Sequence, residues 1–250
     1  MITRNYFKIV RVFPDPDDYF YIKNESYDTG DVIVGNASYD WPSDINLQYS
    51  TDKTNWTNCV ADTYISLQGG EKVYFRNDSG TFSVLETSDV SINMSVNFSA
   101  GGNLATLLDY TNKDGILSIP NGAFNYLFFN RQYGGYLINI DNLSLGNITT
   151  AGSNSLKNMF YQQSYLERGL DLSQITSVGE NFNYSMYELC SSLNEVYAPS
   201  ISSWNNLNGC HWLNNVAQTG VVYKPANLVI NTNTGSGVPS GWTTQTYPQA

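Results

Sequence analysis

Few side chains in this sequence have the type and spacing that catalysis by a nucleophile and a base requires. His211 is the only histidine, and no G-x-S-x-G segment is present to supply a serine nucleophile. A histidine that precedes Trp212 and Leu213 is more typical of a segment lining a core than of a Ser-His-Asp triad. We therefore interpret His211 as a structural residue on a short helix beside core aromatic rings.

Pairs of carboxylates are the other catalytic option, because two Asp or Glu residues suffice for glycoside hydrolysis. The candidate pairs are Glu167 with Asp171, Glu180 with Glu188, and Asp141 with Asp171. They fall at repeat positions, where carboxylates usually face solvent or cap turns. An enzyme, such as a glycosidase or depolymerase, is therefore the least favoured of three hypotheses about function.

Two acidic segments could bind Ca²⁺ through oxygen ligands. They are residues 15–18 and residues 109–114, and neither has the spacing of an EF-hand loop. Gly101 and Gly102 lack the lysine and the spacing of a phosphate-binding loop. The sequence therefore predicts no metal and no cofactor.

Cys59, Cys190 and Cys210 are too few, and odd in number, to form a disulfide framework. We expect buried free thiols. A bridge between Cys190 and Cys210 is the alternative, because these two residues fall in neighbouring repeats.

The composition is that of a folded chain with an uncharged polar surface. Only 14% of the 250 residues are charged, 14% are aromatic, and the net charge is −10 with 12 Lys plus Arg. Without a basic stripe, binding to nucleic acid or to anionic lipid is not expected. No apolar run approaches the length that a membrane-spanning helix needs, so membrane insertion is not expected either.

The elements that position these side chains follow a repeat. Short apolar triplets recur almost evenly, beginning at Leu117, Leu143, Leu170, Val196 and Val222, so that successive steps are 26, 27, 26 and 26. A second series runs in phase with them, at 128–129, 159–160, 186–187 and 212–213. Its first step is longer, which predicts an insertion around residues 132–135. A fixed period of this length indicates a solenoid, in which each unit has a short strand, a turn, and a helical turn or short helix.

The repeat residues resemble a known family. Met-Phe-Tyr at 159–161, Cys-Ser-Ser-Leu at 190–193 and Leu-Asp-Leu-Ser at 170–173 are similar to the BspA-like leucine-rich repeats of bacterial surface proteins. Residues 119–124 and 175–182 match the I-G-x-x-A-F segment of that repeat, and residues 48–52, Trp56 and 73–76 resemble the β-domain that often precedes it. The tail at 212–220 and 238–243 resembles the end of such proteins in gut bacteria and their phages.

We therefore predict a β-rich α+β fold: a small β-sandwich-like domain, then a short leucine-rich-repeat solenoid of period 26–27 with a C-terminal cap. The predicted units are an N-terminal anchor or assembly segment (1–45), the β-domain (46–90), the solenoid (91–224), and the cap and tail (225–250). Residues 92–94 are a candidate first solenoid strand, residues 104–108 a short helix, and Trp242 the residue that plugs the solenoid end.

The resemblance, together with a beginning that lacks the apolar segment of a signal peptide, implies a non-enzymatic bacteriophage virion component made in the host cytoplasm. It would be a fibre, tail or head-decoration subunit that contacts other virion proteins or itself, for example as a trimer, and a host surface protein or glycan. The alternative is a bacterial cell-surface adhesin or secreted binding protein. Aromatic residues at repeat positions, such as Tyr187 and Tyr197, are predicted core. The candidate contact residues in the connections are Tyr133, Tyr136, Tyr161, Tyr165 and Trp204.

Overall fold

A computed structural model describes residues 19–36, 47–60, 62–77, 90–130, 134–202, 211–230 and 238–247. These residues confirm the β-rich class. Their helical content is one α-helix, α1 (Thr106–Asp109), and one 3-10 helix (Tyr110–Asn112). The first eight strands are β1 (Phe20–Asn24), β2 (Gly30–Asn36), β3 (Leu47–Ser50), β4 (Thr57–Asn58), β5 (Thr63–Leu67), β6 (Lys72–Asn77), β7 (Val90–Met94) and β8 (Phe98–Asn103). The remaining nine are β9 (Ser118–Ile119), β10 (Leu137–Asn139), β11 (Leu143–Ser144), β12 (Thr150–Ala151), β13 (Arg168–Asp171), β14 (Ser177–Val178), β15 (Glu195–Tyr197), β16 (Gly220–Lys224) and β17 (Trp242–Thr246).

Residues 19–103, the antiparallel region, form most of one large sheet and all of a smaller one. The larger sheet has the order β10-β8-β1-β6-β3-β4, with β11 also paired to β8, and the smaller has the order β5-β2-β7. Period-two alternation decides which face is buried. On β6, Val73 and Phe75 are fully buried, whereas Lys72, Tyr74 and Arg76 lie on the outer face.

The predicted boundary between residues 45 and 46 does not separate two units. β1 pairs with β6 and β8 in the middle of the large sheet, and β2 pairs with β5 and β7 in the middle of the small one. Both strands are therefore integral parts of these sheets, because later segments of the chain pair with each of them on both sides. The rest of the predicted anchor segment, residues 1–18 and 37–45, lies outside the described residues.

β8 joins the antiparallel region to the rest of the chain. One edge pairs antiparallel with β1, and the other pairs parallel with β10 and β11. Gly102 is required here, because it has φ +79° and an added Cβ would lie 2.1 Å from the carbonyl oxygen of Tyr19. The expected short helix follows as α1, and the Oδ1 atom of Asn103 accepts a hydrogen bond from the N–H of Ala105.

We call residues 104–247 the stacked region. In it the chain passes several times in the same direction, and strands of successive passes pair in parallel. Thr150 pairs with Ser118 and with Ser177 in the sheet of order β14-β12-β9. Along the chain Ser118 is farther from Thr150 than Ser177 is, so the first pass is longer. The extra residues of this longer pass include Gly134 and Gly135, which fall in the predicted insertion. Residues 131–133 lie outside the described residues. A second parallel sheet has the order β13-β15-β16-β17.

The expectation of a helical turn or short helix in each unit is wrong for the described passes. Asn154, Asn158 and Gln162 each have positive φ, so a left-handed residue occurs every fourth position and breaks any helix. The backbone N–H groups at even positions donate to the next pass instead, as from Leu156 to Phe182 and from Phe160 to Met186. The segments are therefore runs of tight turns joined by a hydrogen-bond ladder between passes.

A column of buried rings runs through the stack. The ring centroids of Phe128 and Phe160 are 5.4 Å apart, those of Phe160 and Tyr187 are 5.4 Å apart, and those of Tyr187 and Trp212 are 6.4 Å apart. All four side chains are at most 1% exposed. The second periodic series in the sequence is thus a core column, as expected from its apolar character.

Two predicted strand positions are wrong. Leu117 and Ile119 are not in phase with Leu143, because β9 pairs with β12 on a different sheet, and Leu117 is 57% exposed. The strand in phase with β11 is β8, since Leu143 pairs with Gly102. Residues 92–94 belong to β7, which pairs antiparallel with β2, so they are not a first strand of the stack.

The last described strand, β17, continues the stack. β17 pairs parallel with β16, and Trp242, at 5% exposure, donates a hydrogen bond from Nε1 to the carbonyl oxygen of Ala217 at 2.7 Å. An added Cβ on Gly220 would lie 2.7 Å from this indole ring, so the glycine makes room for it. The burial expected for Trp242 is confirmed.

Candidate functional site

The outer face of the sheet formed by β13, β15, β16 and β17 carries two rows of side chains. Cα pairing aligns one row across the four strands, and a second row lies beside it. The first row is Arg168, Glu195, Val221 and Thr243, and the second row is Asp171, Tyr197, Tyr223 and Gln245. We call these eight residues the two-row face. It is positioned by the buried residues between the rows, among them Val196 and Val222.

Arg168 is the electrostatic centre of the two-row face. Its Nε lies 2.9 Å from Oε1 of Glu195, and its Nη1 lies 3.5 Å from Oδ1 of Asp141. Its guanidinium carbon lies 5.0 Å from the ring centroid of Tyr197. Burial alone would lower the pKa of Arg168, but Tyr197, Glu195 and Asp141 together raise it. The arginine is therefore held as a cation within a fixed frame of acceptors.

Tyr197 and Tyr223 form a stacked pair on the same face. Their ring centroids are 4.8 Å apart, and the ring planes meet at 20°. Burial raises the pKa of Tyr197 to about 12, and Glu195 adds to the effect, whereas Arg168 opposes it. A phenol that stays neutral at ordinary pH can donate and accept hydrogen bonds but is a poor general base. The pair is suited to contact and hydrogen bonding.

The structure brings together two of the predicted contact residues. Tyr136 and Tyr165 meet edge to face with centroids 4.8 Å apart, and Tyr165 is 55% exposed. Tyr136 precedes β10 of the large sheet, and Tyr165 precedes β13, which carries part of the two-row face. Tyr161 lies in a run of tight turns, where it is half-buried and stacks on Phe129 at 5.1 Å. Tyr133 and Trp204 lie outside the described residues.

The sequence alone does not identify the two-row face. Tyr197 was predicted to be core, and it lies on the outer face instead. Arg168 and Tyr223 were not singled out at all. A signal was present, because Tyr197 and Tyr223 follow buried Val196 and Val222, and alternation along a strand sends the next side chain outward.

Three of the five carboxylates considered for catalysis make structural contacts. Asp141 binds Arg168, Asp171 accepts a hydrogen bond from the N–H of Ser173, and Glu188 accepts one from Nδ2 of Asn214. Asp109 accepts hydrogen bonds from the N–H and Oγ1 of Thr111. The described ranges contain no group of three His, Cys, Asp or Glu side chains that could hold a metal ion. Residues 15–18 lie outside those ranges.

Two of the three cysteines are buried free thiols, as expected. Cys59 is 4% exposed, and Cys190 is fully buried with its Sγ 3.0 Å from the carbonyl oxygen of Phe160. Burial raises the pKa of each thiol to about 12. Because Cys190 is a free thiol, the alternative bridge between it and Cys210, which lies outside the described residues, is not formed. His211, predicted to lie on a helix, has φ 50° in a turn and packs against the Tyr184 ring at 6.1 Å.

No helix within the described residues is long and apolar enough to cross a membrane. No protein-family profile matches the chain, and neither a curated protein nor a solved structure matches it significantly. The resemblance to BspA-like repeats therefore depends on the repeat residues themselves, and the functional assignment depends on the two-row face.

Proposed function

We propose that this protein is a non-enzymatic structural and recognition component of a bacteriophage virion: a fibre, tail or head-decoration subunit. In this proposal the stacked region is a short leucine-rich-repeat solenoid of the BspA-like type with a C-terminal cap, and the antiparallel region is a β-sandwich-like domain. What supports it is the parallel pairing of Thr150 with Ser177, one repeat later, together with the ring column through Phe160.

The two-row face is the single observation that carries the recognition role. Its rows place a fixed arginine and two stacked phenols on a continuous sheet of four parallel strands. Rigid aromatic side chains and arginine are the residues that most often dominate binding energy at interfaces, because little conformational entropy is lost when they are covered. The partner would be a surface protein or a glycan of the host.

Loss of the tyrosine pair tests this role. Tyr197→Ala combined with Tyr223→Ala should weaken binding of labelled protein to whole host bacteria by at least about tenfold, equivalent to about 1.4 kcal/mol. Tyr64→Ala is the matched control, because Tyr64 is 61% exposed on β5 of the small antiparallel sheet. Unchanged binding by the double variant, with a normal melting temperature, would remove the two-row face from the recognition role.

The location on a virion is tested separately. Mass spectrometry of purified phage particles should detect this chain at a fixed ratio to the major capsid protein. Its presence in the bacterial envelope fraction, and not in particles, would favour the alternative of a cell-surface adhesin.

Self-assembly through the N-terminal segment can be tested by truncation, but a deletion of residues 1–46 is unsuitable. Such a deletion would remove β1 and β2, the central strands of both antiparallel sheets. Mass photometry of the full chain beside a chain that starts at Tyr19 keeps both sheets intact. A trimer that becomes a monomer would support an assembly role for residues 1–18, whereas two monomers would contradict it.

A further inference from the structure

The outer face of the large antiparallel sheet concentrates positive charge in an acidic protein. Eight Lys and Arg residues lie in the described ranges of a chain with net charge −10. Half of them occupy this face or the loop beside it: Lys23, Lys53, Lys72 and Arg76. We call these four residues the cationic face. It is on a different sheet from the two-row face, and the inference drawn from it does not depend on the proposed function.

Arg76 is the best-fixed member of the cationic face. Its guanidinium carbon lies 4.1 Å from the ring centroid of Trp56 and 4.3 Å from that of Tyr110. Its Nε donates a hydrogen bond to Oε1 of Gln48 at 2.8 Å. No carboxylate in the described part of the chain forms an ion pair with it. Two rings and an amide thus hold the planar fork in place, and that fork matches a carboxylate geometrically.

Lys72 is the second cation of this face that forms no ion pair with the described residues. It lies directly opposite Lys23 in the antiparallel register, and like charges in that position are destabilising. Lys23 pairs with Glu25 at 2.8 Å, and Glu25 also accepts a hydrogen bond from Oγ of Ser99. Lys72 instead has its ammonium 3.9 Å from the ring centroid of Tyr21, and the described residues include no ion-pair partner for it. Glu25 attracts Lys72 as well as Lys23, but it forms an ion pair only with Lys23, so Lys72 can still pair with an added anion.

We propose that the cationic face binds an acidic glycan, a sugar chain whose carboxylates contact Arg76 and Lys72. The two cations lie on the outer side of β6 with Tyr74 between them, and alternate residues of a strand are about 6.5 Å apart. A linear polymer laid along β6 would meet a cation, a phenol ring and a cation in turn. The carboxylates pair with the cations, and the neutral sugar rings between them pack against the aromatic side chains.

Charge density favours a glycan over nucleic acid. Duplex DNA carries about one negative charge per 1.7 Å of its axis, and the acidic remainder of this protein would repel it strongly. A glycan with neutral sugars between its acids is repelled less. The amides of Gln48 and Asn58, which are hydrogen-bonded to each other on the neighbouring strands β3 and β4, provide further groups for hydroxyls.

Calorimetric titration of the full chain with a hyaluronan oligosaccharide, in which uronic acid alternates with a neutral amino sugar, tests the proposal. The same oligomer with its carboxyl groups reduced to alcohols is the ligand control. Arg76→Gln and Lys72→Gln should each weaken binding by about tenfold, and carboxyl reduction by at least as much. Lys157→Gln is the matched protein control, because Lys157 is also a lysine beside a ring, 5.7 Å from the centroid of Tyr184 in the stacked region.

Four results would overturn the proposal. They are no binding of the hyaluronan oligosaccharide, equal binding of the reduced oligomer, an equal loss with Lys157→Gln, and tighter binding of a DNA duplex or a poly-glutamate peptide of matched charge. Arg76→Gln could unfold the protein because Arg76 packs between two rings. Lys72→Gln and Lys23→Gln then carry the test, since both replace a side chain on the outer face of the sheet.

Discussion

The antiparallel region and the stacked region differ in which residues become neighbours on the outer face of a sheet. In the antiparallel region, neighbours across the sheet come from distant parts of the chain, as when Tyr21 pairs with Tyr74 and with Gly101. In the stacked region, the neighbour of Tyr197 is Tyr223, one repeat later in the chain. In the stacked region, side chains on successive strands therefore become neighbours, such as the two tyrosines, whereas in the antiparallel region strand pairing brings together residues from separate segments, such as Lys23 and Lys72 of the cationic face.

Aromatic packing is among the contacts that join the two regions. The ring of Phe20 on β1 lies 6.0 Å from Phe128, the first ring of the buried column, and 5.9 Å from Phe75 in the antiparallel core. The column therefore continues into the antiparallel sheets, and β8 is shared by both regions. We expect the described core to unfold as one unit, and the following predictions test this.

Phe160→Ala should have the largest effect. Phe160 is fully buried between Phe128 and Tyr187, and removing such a ring costs about 3–5 kcal/mol. Urea unfolding should show this loss, with the melting temperature lowered by roughly 10 °C. Tyr161→Ala is the control, because the neighbouring Tyr161 stacks on Phe129 but is half-exposed. Equal losses for the two variants would contradict the buried column.

Gly102→Ala should destabilise the protein by about 3 kcal/mol or more, since its Cβ would collide with the backbone of Tyr19. Gly70→Ala is a matched control, because Gly70 has a similar φ of +83° with nothing within 4 Å of its added Cβ. It should cost only the backbone strain, about 1–2 kcal/mol. Hydrogen exchange in Gly102→Ala should accelerate in both regions; acceleration in one alone would show that they unfold separately.

Trp242→Ala should lower the melting temperature by several degrees, because the indole is buried and hydrogen-bonded to the carbonyl of Ala217. The effect is smaller than for Phe160, since Trp242 lies at the end of the stack. Thr244→Ala, at an exposed position of the same strand, is the control. An unchanged melting temperature for Trp242→Ala would show that the last strand does not stabilise the stack.

Alkaline pH should destabilise the protein through Cys59 and Cys190, an effect that is absent at neutral pH. Burial raises both thiol pKa values from 9.0 to about 12, so the unfolded chain loses these protons first. The stability that they contribute is complete below pH 9 and is lost as pH rises towards 12. Melting temperature measured against pH should fall less steeply in the Cys59→Ala, Cys190→Ala double variant. Parallel curves for variant and wild type would contradict this.

Local sequence was enough for several features of the stacked region. The apolar series identified Phe160, Tyr187 and Trp212 as core, and the burial of Trp242 followed from the need to cover the last pass. Local sequence was not enough to predict which strands pair with each other. Leu117 has the type and spacing of a repeat residue, yet its segment pairs with Thr150 on another sheet, because apolar spacing cannot distinguish the two strands of one pass.

The candidate contact surfaces also differ in how well the sequence predicts them. Tyr136 and Tyr165 were predicted as contacts and do come together, whereas Tyr197 was assigned to the core. The cationic face was invisible in the sequence because Lys23 and Lys72 are far apart along the chain and become neighbours only through the pairing of β1 with β6.

The sequence by itself determined the β-rich class and the residues of the ring column, because both depend on spacing and side-chain type along the chain. The tertiary structure alone decided that residues 20–36 are central strands, that the repeated turns are not helices, and where positive charge collects. These depend on hydrogen bonds and contacts between residues far apart in sequence, for which no local pattern carries the information.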